Sequence, residues 1–304
     1  MSGEVAFRDL SALVGDEEAL KQQVEQDGFG LFRGLIPQAP ILELRRLILE
    51  NFRCRGWIRE GTRVMEGIID PAIHEVECYA SNGVDKRAYQ DVYRMQEFHR
   101  LAHHPAIIAL FARLFGDQVF VHPRNIARLM APHRDAQPTA PHQDFIYVQG
   151  SHATYTCWFP LGDCPRELGG LALVPGSHRR EILQVRDAEG AGGRTVIIDD
   201  DAQIWAQGDL RCGDVVIFHS KTIHKTFPNR TENRIRLSVD FRYQPLSVPV
   251  DNSSLLPHVG LLTWEETYAG WGDSDLRYYW KDLDLEVSDF DWSLLDTSKA
   301  QASS

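Results

Sequence analysis

Three side chains carry the chemistry this sequence is equipped for. His142 and Asp144 stand two residues apart in Ala140–Pro141–His142–Gln143–Asp144, and residues i and i+2 of an extended chain project from one face. An imidazole and a carboxylate then point at a common place. A third donor, His224, follows the apolar run 214–218 far downstream. Two histidines and a carboxylate on one face of an octahedron are the ligand set of non-haem Fe(II) oxygenases, with the remaining positions open to reactants. His142, Asp144 and His224 are therefore the expected metal ligands and catalytic centre.

A rival triplet, His133–Arg134–Asp135, lies between Pro132 and Pro138, where regular pleating is interrupted. The triplet 142–144 instead runs into Phe145–Ile146–Tyr147–Val148, which can pleat. His219 is an odd number of residues before His224, so the two cannot share a strand face, and His219 reads as structural. Further on, Ile235, Leu237, Val239 and Phe241 alternate with Arg234, Arg236, Ser238, Asp240 and Arg242. A solvated face alternates in the same way. If the polar face looks into a site, one arginine can fork a carboxylate. A keto acid with a second carboxylate at its far end, the shape of 2-oxoglutarate, would chelate iron and pair with that arginine.

The elements that must position these groups change period midway. Helical spacing predicts a helix over 16–26 with Asp16 as N-cap and Gly28 as stop, a second from Pro40, and a third from Pro105 to Gly116. Residues 53–100 show no clean period and read as a loop-rich substrate wall. From 118 onward, runs at 119–121, 125–130, 145–148, 154–161, 170–174, 195–198, 214–218 and 235–243 read as short strands between Gly, Pro, Asp and Asn clusters. That pattern suggests a double-sheet jelly roll. The whole chain, 1–304, is read as one domain: N-terminal helices and wall (1–117), jelly-roll core with the metal site (118–245), and a C-terminal cover (246–304).

With 43% hydrophobic and 25% charged residues, the chain has an ordinary globular balance. A net charge of −11 argues against nucleic acid as partner. The five cysteines include no Cys-x-x-Cys, which fits reduced thiols inside a cell. No targeting pattern or membrane-length apolar stretch is visible. A cytoplasmic enzyme acting on a small molecule is the expectation, with no membrane partner; nothing specifies an oligomeric state.

Pro141–His142–Gln143–Asp144, Trp158–Phe159–Pro160–Leu161, the block from Gly169 to His178 with its Pro175–Gly176–Ser177–His178 turn, and the run from Gly213 to Arg236 together resemble the phytanoyl-CoA dioxygenase family of Fe(II)/2-oxoglutarate-dependent oxygenases. The resemblance implies a double-stranded β-helix (jelly roll, cupin-like), mainly β with flanking helices. It implies Fe(II) held by His142, Asp144 and His224, with 2-oxoglutarate as cosubstrate and O2 as oxidant. It implies a cosubstrate arginine past the distal histidine, where alignment on the following serine selects Arg234 with Arg236 as alternative. Thr226 matches a hydroxyl position near the cosubstrate. Asn125 and Arg128 fall where relatives place a polar contact. Thr156 and Trp158 share strand parity toward the interior, Trp158 as wall. His178 reads as structural. The implied reaction is hydroxylation, or another oxidation, of a C–H bond of a metabolite, with release of succinate and CO2. A carboxylate at Asp144 argues against a halogenase. Arg55, Arg59, Arg94 and Tyr79 are candidate substrate contacts. Two other readings stand beside this one: a jelly-roll binding protein without catalysis, and a cupin-type metalloenzyme that does not use 2-oxoglutarate.

Overall fold

The computed structural model describes residues 3–272 and 274–298. After a short exposed strand β1 (Gly3–Ala6), helix α1 (Glu17–Asp27) starts where the Asp16 carboxylate accepts the Ala19 amide at 3.1 Å. It stops at Gly28, whose φ of 78° is the left-handed turn glycine adopts without steric cost. Strand β2 (Phe29–Phe32) leads into α2 (Gln38–Cys54), which buries Ile41, Leu44, Ile48, Leu49 and Phe52 along one face. The segment without a clean period contains short 3-10 turns and two short helices, α3 (Lys86–Tyr93) and α4 (Gln96–Ala102). Helix α5 (Pro105–Phe115) has Pro105 in its first turn and Gly116 at its end, as expected.

Ten strands follow: β3 (Val119–Val121), β4 (Ile126–Met130), β5 (Tyr155–Pro160), β6 (Leu171–Leu173), β7 (Val185–Asp187), β8 (Arg194–Val196), β9 (Ile204–Gln207), β10 (Val215–His219), β11 (His224–Thr226) and β12 (Arg236–Pro245). Eight of them, with β1 and β2, build two main sheets, one in the order β1-β9-β6-β11, the other β2-β10-β5-β12-β3 with β4 also paired to β12, while β7 and β8 pair only with each other. The architecture is the expected mainly-β jelly roll with flanking helices, as two sheets rather than a closed barrel. Strand β12 organises the larger sheet, with Phe241 opposite Cys157 of β5 and Leu237 opposite Leu129 of β4. Its apolar side chains face the helices: Phe241 lies 5.7 Å from Phe98 and Tyr243 stacks at 4.4 Å on Phe111. Because side chains alternate along a strand, Arg236, Ser238, Asp240 and Arg242 must then turn to the inside, and all four are buried.

Three details depart from the expected elements. Residues 145–148 are not a strand. The Phe145 amide bonds to Ser220 O at 2.9 Å, and the chain then turns through a 3-10 helix (Asp144–Ile146) closed by Tyr147 N to Asp144 O at 2.8 Å. Strands β1, β7, β9 and β11 have no expected counterpart, being four residues or fewer, too short to show a period. The C-terminal cover is well built: β13 (Val250–Asp251) pairs with β14 (Val287–Ser288), and α6 (Trp264–Tyr268) is opened by a Thr263/Glu266 capping box. Its Trp264, Tyr268, Trp271 and Trp280 join the apolar cluster that the helices make with the larger sheet. Among the described residues, no helix is long and apolar enough to cross a membrane.

Candidate metal centre and cavity

His142 and His224 face each other as a hydrogen-bonded antiparallel pair. His142 N donates to His224 O at 2.9 Å, and His224 N to His142 O at 3.0 Å. Directly paired residues carry neighbouring side chains on one face, which brings the two rings to 4.0 Å between centroids. Each Nδ1 is close to a backbone carbonyl, His142 to Ala140 O at 2.8 Å and His224 to Thr222 O at 2.9 Å. With Nδ1–H as donor, each Nε2 keeps its lone pair for a metal. Gln143 points the other way, buried, its amide donating to Lys221 O at 2.9 Å and its oxygen accepting Leu183 N at 2.9 Å. That anchor sets the orientation of its two neighbours.

Asp144 closes the set. Its Oδ1 lies 3.5 Å from His142 Nε2 and 3.7 Å from His224 Nε2. Its Oδ2 accepts Thr156 Oγ1 at 2.5 Å and Arg242 Nη2 at 3.0 Å. One oxygen is thus free for a metal while the other is fixed. Burial alone would raise the Asp144 pKa, but the Arg242 guanidinium and the two imidazoles outweigh it and hold the carboxyl well below its usual range. Burial, with His142 alongside, lowers His224 to about 3. Deprotonated carboxylate and neutral imidazole are the forms that bind a metal. All three ligand atoms lie within 4.8 Å of one another, and no other such group of three occurs among the described residues. Adjacent ligands of an octahedral ion with bonds of about 2.1 Å sit roughly 3 Å apart, so small side-chain adjustments bring the set onto one ion.

The site opens on a cavity of ≈ 260 Å³, whose walls include His142, Asp144, Arg128 and Arg242 together with Tyr79, Tyr89, His258 and Val259. A much tighter pocket of ≈ 10 Å³ lies on the inner side, between Trp158, Leu171, Phe218, His224, Thr226 and Asp240. Arg128, Thr139 and His142 line both.

Residues 53–238, more than half of the chain, match the family described as phytanoyl-CoA dioxygenase. The protein belongs to the phytanoyl-CoA dioxygenase family. Among relatives of this family member, 1-deoxypentalenic acid 11-beta-hydroxylase from Streptomyces arenae is 28% identical over 265 residues, covering 83% of this chain and 89% of the relative. Two solved structures share its fold. The epimerase SnoN in complex with Fe3+, alpha ketoglutarate and nogalamycin RO superposes with a TM-score of 0.55 at 23% identity, over 77% of this chain and 85% of the other. The non-heme monooxygenase ThoJ does so with 0.53 at 20% identity, over 93% and 95%.

In this phytanoyl-CoA dioxygenase family member the expected cofactor contacts divide. Thr226 lines the inner pocket and its Oγ1 accepts the Thr139 amide at 2.9 Å. Trp158 is a wall of that pocket, and Thr156 bonds to Asp144. Arg128 lines both spaces and donates to Asp240 at 2.7 Å. Arg236 is buried and is not itself on the wall of either space; it gives Nη1–H to Gly169 O at 2.7 Å, while its Nε has no partner among the described residues. Arg234 is elsewhere: it precedes β12, stands 39% exposed 3.9 Å from Glu167, and lines a separate hollow with Arg45. The strand begins two residues later than the parity argument assumed, so Arg234 does not share the buried face. Asn125 also lies outside, just before β4, with Nδ2 3.1 Å from His99 Nδ1. Of the candidate substrate contacts, Tyr79 lines the cavity, whereas Arg55 pairs with Asp91 at 2.5 Å and Arg94 bonds to Glu266 O at 3.3 Å. Arg59 is absent from the cavity wall. His133 lies beside His74, not the metal set. Arg242, the partner of Asp144, is a site residue not foreseen from the sequence, where its one signal is the alternation that also carries Arg236 and Asp240.

Proposed function

We propose that this protein is a non-haem Fe(II)/2-oxoglutarate-dependent dioxygenase that hydroxylates a C–H bond of a small molecule in the ≈ 260 Å³ cavity, with His142, Asp144 and His224 as the iron ligands. The carrying observation is the ligand set itself, with two imidazoles tautomerically fixed by backbone carbonyls and one carboxylate oxygen left free. Bound there, iron with 2-oxoglutarate and O2 supplies an oxidant strong enough for an unactivated C–H bond, yielding succinate and CO2.

The chain's own share is placement and charge. Arg242 and Thr156 hold the Asp144 carboxylate in one rotamer and keep it ionised, so the ligand set is preformed. We assign the far carboxylate of 2-oxoglutarate to Arg236, whose orphaned Nε is a donor without a protein acceptor, with Arg128 and Thr226 on the adjoining wall. Trp158, Leu171 and Phe218 make that wall apolar and exclude water. The inner pocket is narrow at ≈ 10 Å³, so 2-oxoglutarate would fit there only with these side chains moved back. The Streptomyces arenae relative is named a hydroxylase, which supports the hydroxylating outcome.

The test is anaerobic addition of Fe(II) and then 2-oxoglutarate. A visible charge-transfer band is expected, together with O2-dependent succinate formation on aeration. Asp144→Ala should abolish both. A folded protein that gives neither band nor succinate would instead be the binding protein, and metal binding without the band would favour a cupin-type enzyme that does not use the keto acid.

A further inference from the structure

The cavity contains a cation that the metal centre does not use. Arg128 is held by Asp240 at 2.7 Å, and Arg242 by Asp144 at 3.0 Å. Arg124 lines the same cavity and has no carboxylate within 4.0 Å among the described residues. Asp251 is the acid whose charge reaches it, but Asp251 is engaged by Gln149 N at 2.9 Å, Ser254 N at 3.0 Å, Ser254 Oγ at 2.6 Å and Ser253 Oγ at 2.5 Å. The protein contacts of Arg124 are two long ones from Nη1, 3.2 Å to Ser253 Oγ and 3.4 Å to Tyr147 O. Among the described residues its Nε and Nη2 have no hydrogen-bond acceptor. The wall of the same cavity also carries the apolar Ile126, Ala127, Val148 and Val259.

A guanidinium drawn out of water beside apolar surface and without a counter-ion is costly. The cost is recovered if the ligand brings the anion. A single free fork matches one carboxylate in size and charge, while a phosphate dianion would call for a second free cation. The volume suits a molecule at the small end of ligand cavities. We propose that the cavity selects a compact, largely apolar molecule bearing one carboxylate, and that Arg124 grips that carboxylate and thereby fixes which carbon faces the metal centre. The inference rests on the dioxygenase reading for its chemistry, because anchoring one end of a substrate is what places a chosen C–H bond at the reacting position.

The test uses the full-length protein loaded with Fe(II) and saturating 2-oxoglutarate under anaerobic conditions. The probes are adamantanecarboxylate, cyclohexylacetate and decanoate, each beside its matched primary alcohol, with binding read by calorimetry. At least one acid is expected to bind about tenfold tighter than its alcohol. Arg124→Gln removes that preference while leaving the alcohol's affinity, and the 2-oxoglutarate titration followed at the charge-transfer band, within about twofold of wild type. Arg124→Lys restores part of the preference. Three results overturn the proposal: no acid preferred over its alcohol by the wild type, a preference that survives Arg124→Gln, or loss of 2-oxoglutarate binding in that variant, which would make Arg124 a cosubstrate contact. A wild type without the charge-transfer band sinks the dioxygenase reading alone, since calorimetry still reports the preference.

Discussion

Arg234 and Arg236 have the same charge and sit one pleat apart, yet only one can serve the interior. Arg236 is 2% exposed with an unpartnered Nε, whereas Arg234 is 39% exposed and turned toward Glu167. Arg236→Ala is expected to weaken 2-oxoglutarate binding by roughly 10- to 100-fold, the worth of about 1.5–3 kcal/mol for hydrogen bonds to a charged group. Arg234→Ala should stay within about twofold on the same charge-transfer titration. Equal effects, or none from Arg236, would remove the cosubstrate assignment. Arg242 makes a second prediction at this scale. It supports Asp144 rather than touching the ion, so Arg242→Met should lower Fe(II) affinity by about 10- to 100-fold, as loss of outer hydrogen bonds to metal ligands generally does. Competition for iron against a chromogenic chelator would show it, and unchanged affinity would mean that Thr156 suffices to hold the carboxylate.

Strand β12 shows how one element divides its faces between stability and chemistry. Phe241 packs against Phe98 and Phe159, both at 5.7 Å, in the core beneath the helices. Phe241→Ala should cost about 3–5 kcal/mol, read as a fall in the denaturant midpoint. Ser238, three residues earlier in the strand and on the other face, is fully buried with an unpartnered hydroxyl. Ser238→Ala therefore removes an unsatisfied group and should change stability by less than about 0.5 kcal/mol. A large loss there would mean that Ser238 has a hydrogen-bond partner in solution. This strand also marks the limit of what could be read in advance. The alternation of Ile235, Leu237, Val239 and Phe241 with polar residues was plain in the sequence, and so were α1, α5 and most longer strands, whose periods and caps are local. Which face would be wet was not, because that depends on the helices covering the apolar side. The turn at Asp144 was equally hidden: it is made by a backbone bond to Ser220, a partner distant in the chain. The His142–Asp144 pair was legible nonetheless, since the bridge to His224 and the anchored Gln143 preserve the common direction that simple pleating would have given.

Across the whole molecule, the interior that keeps the site dry also keeps several histidines neutral. His99 donates Nε2–H to Tyr93 O at 2.7 Å and receives Asn125 Nδ2 at 3.1 Å, and His122 lies 2.8 Å from Gln244 Oε1. Burial lowers both to about 4, against an ordinary value of 6.5. Above 6.5 neither the folded nor the unfolded chain protonates them, and their neutral packing contributes in full. As pH falls below 6.5 the unfolded chain takes up protons that the folded chain refuses, so stability declines. The decline continues until the folded pKa near 4 is reached, where the difference stops growing. Each such histidine should contribute a slope of about 1.4 kcal/mol per pH unit inside that window and almost none outside it. Denaturation followed from pH 7.5 downward should show this slope in the wild type, and His122→Gln should flatten it by about one histidine's share. A variant with the wild-type slope would show that His122 titrates alike in both states. The acid sensitivity would then have to come from the paired carboxylates, which lose their partners only at lower pH.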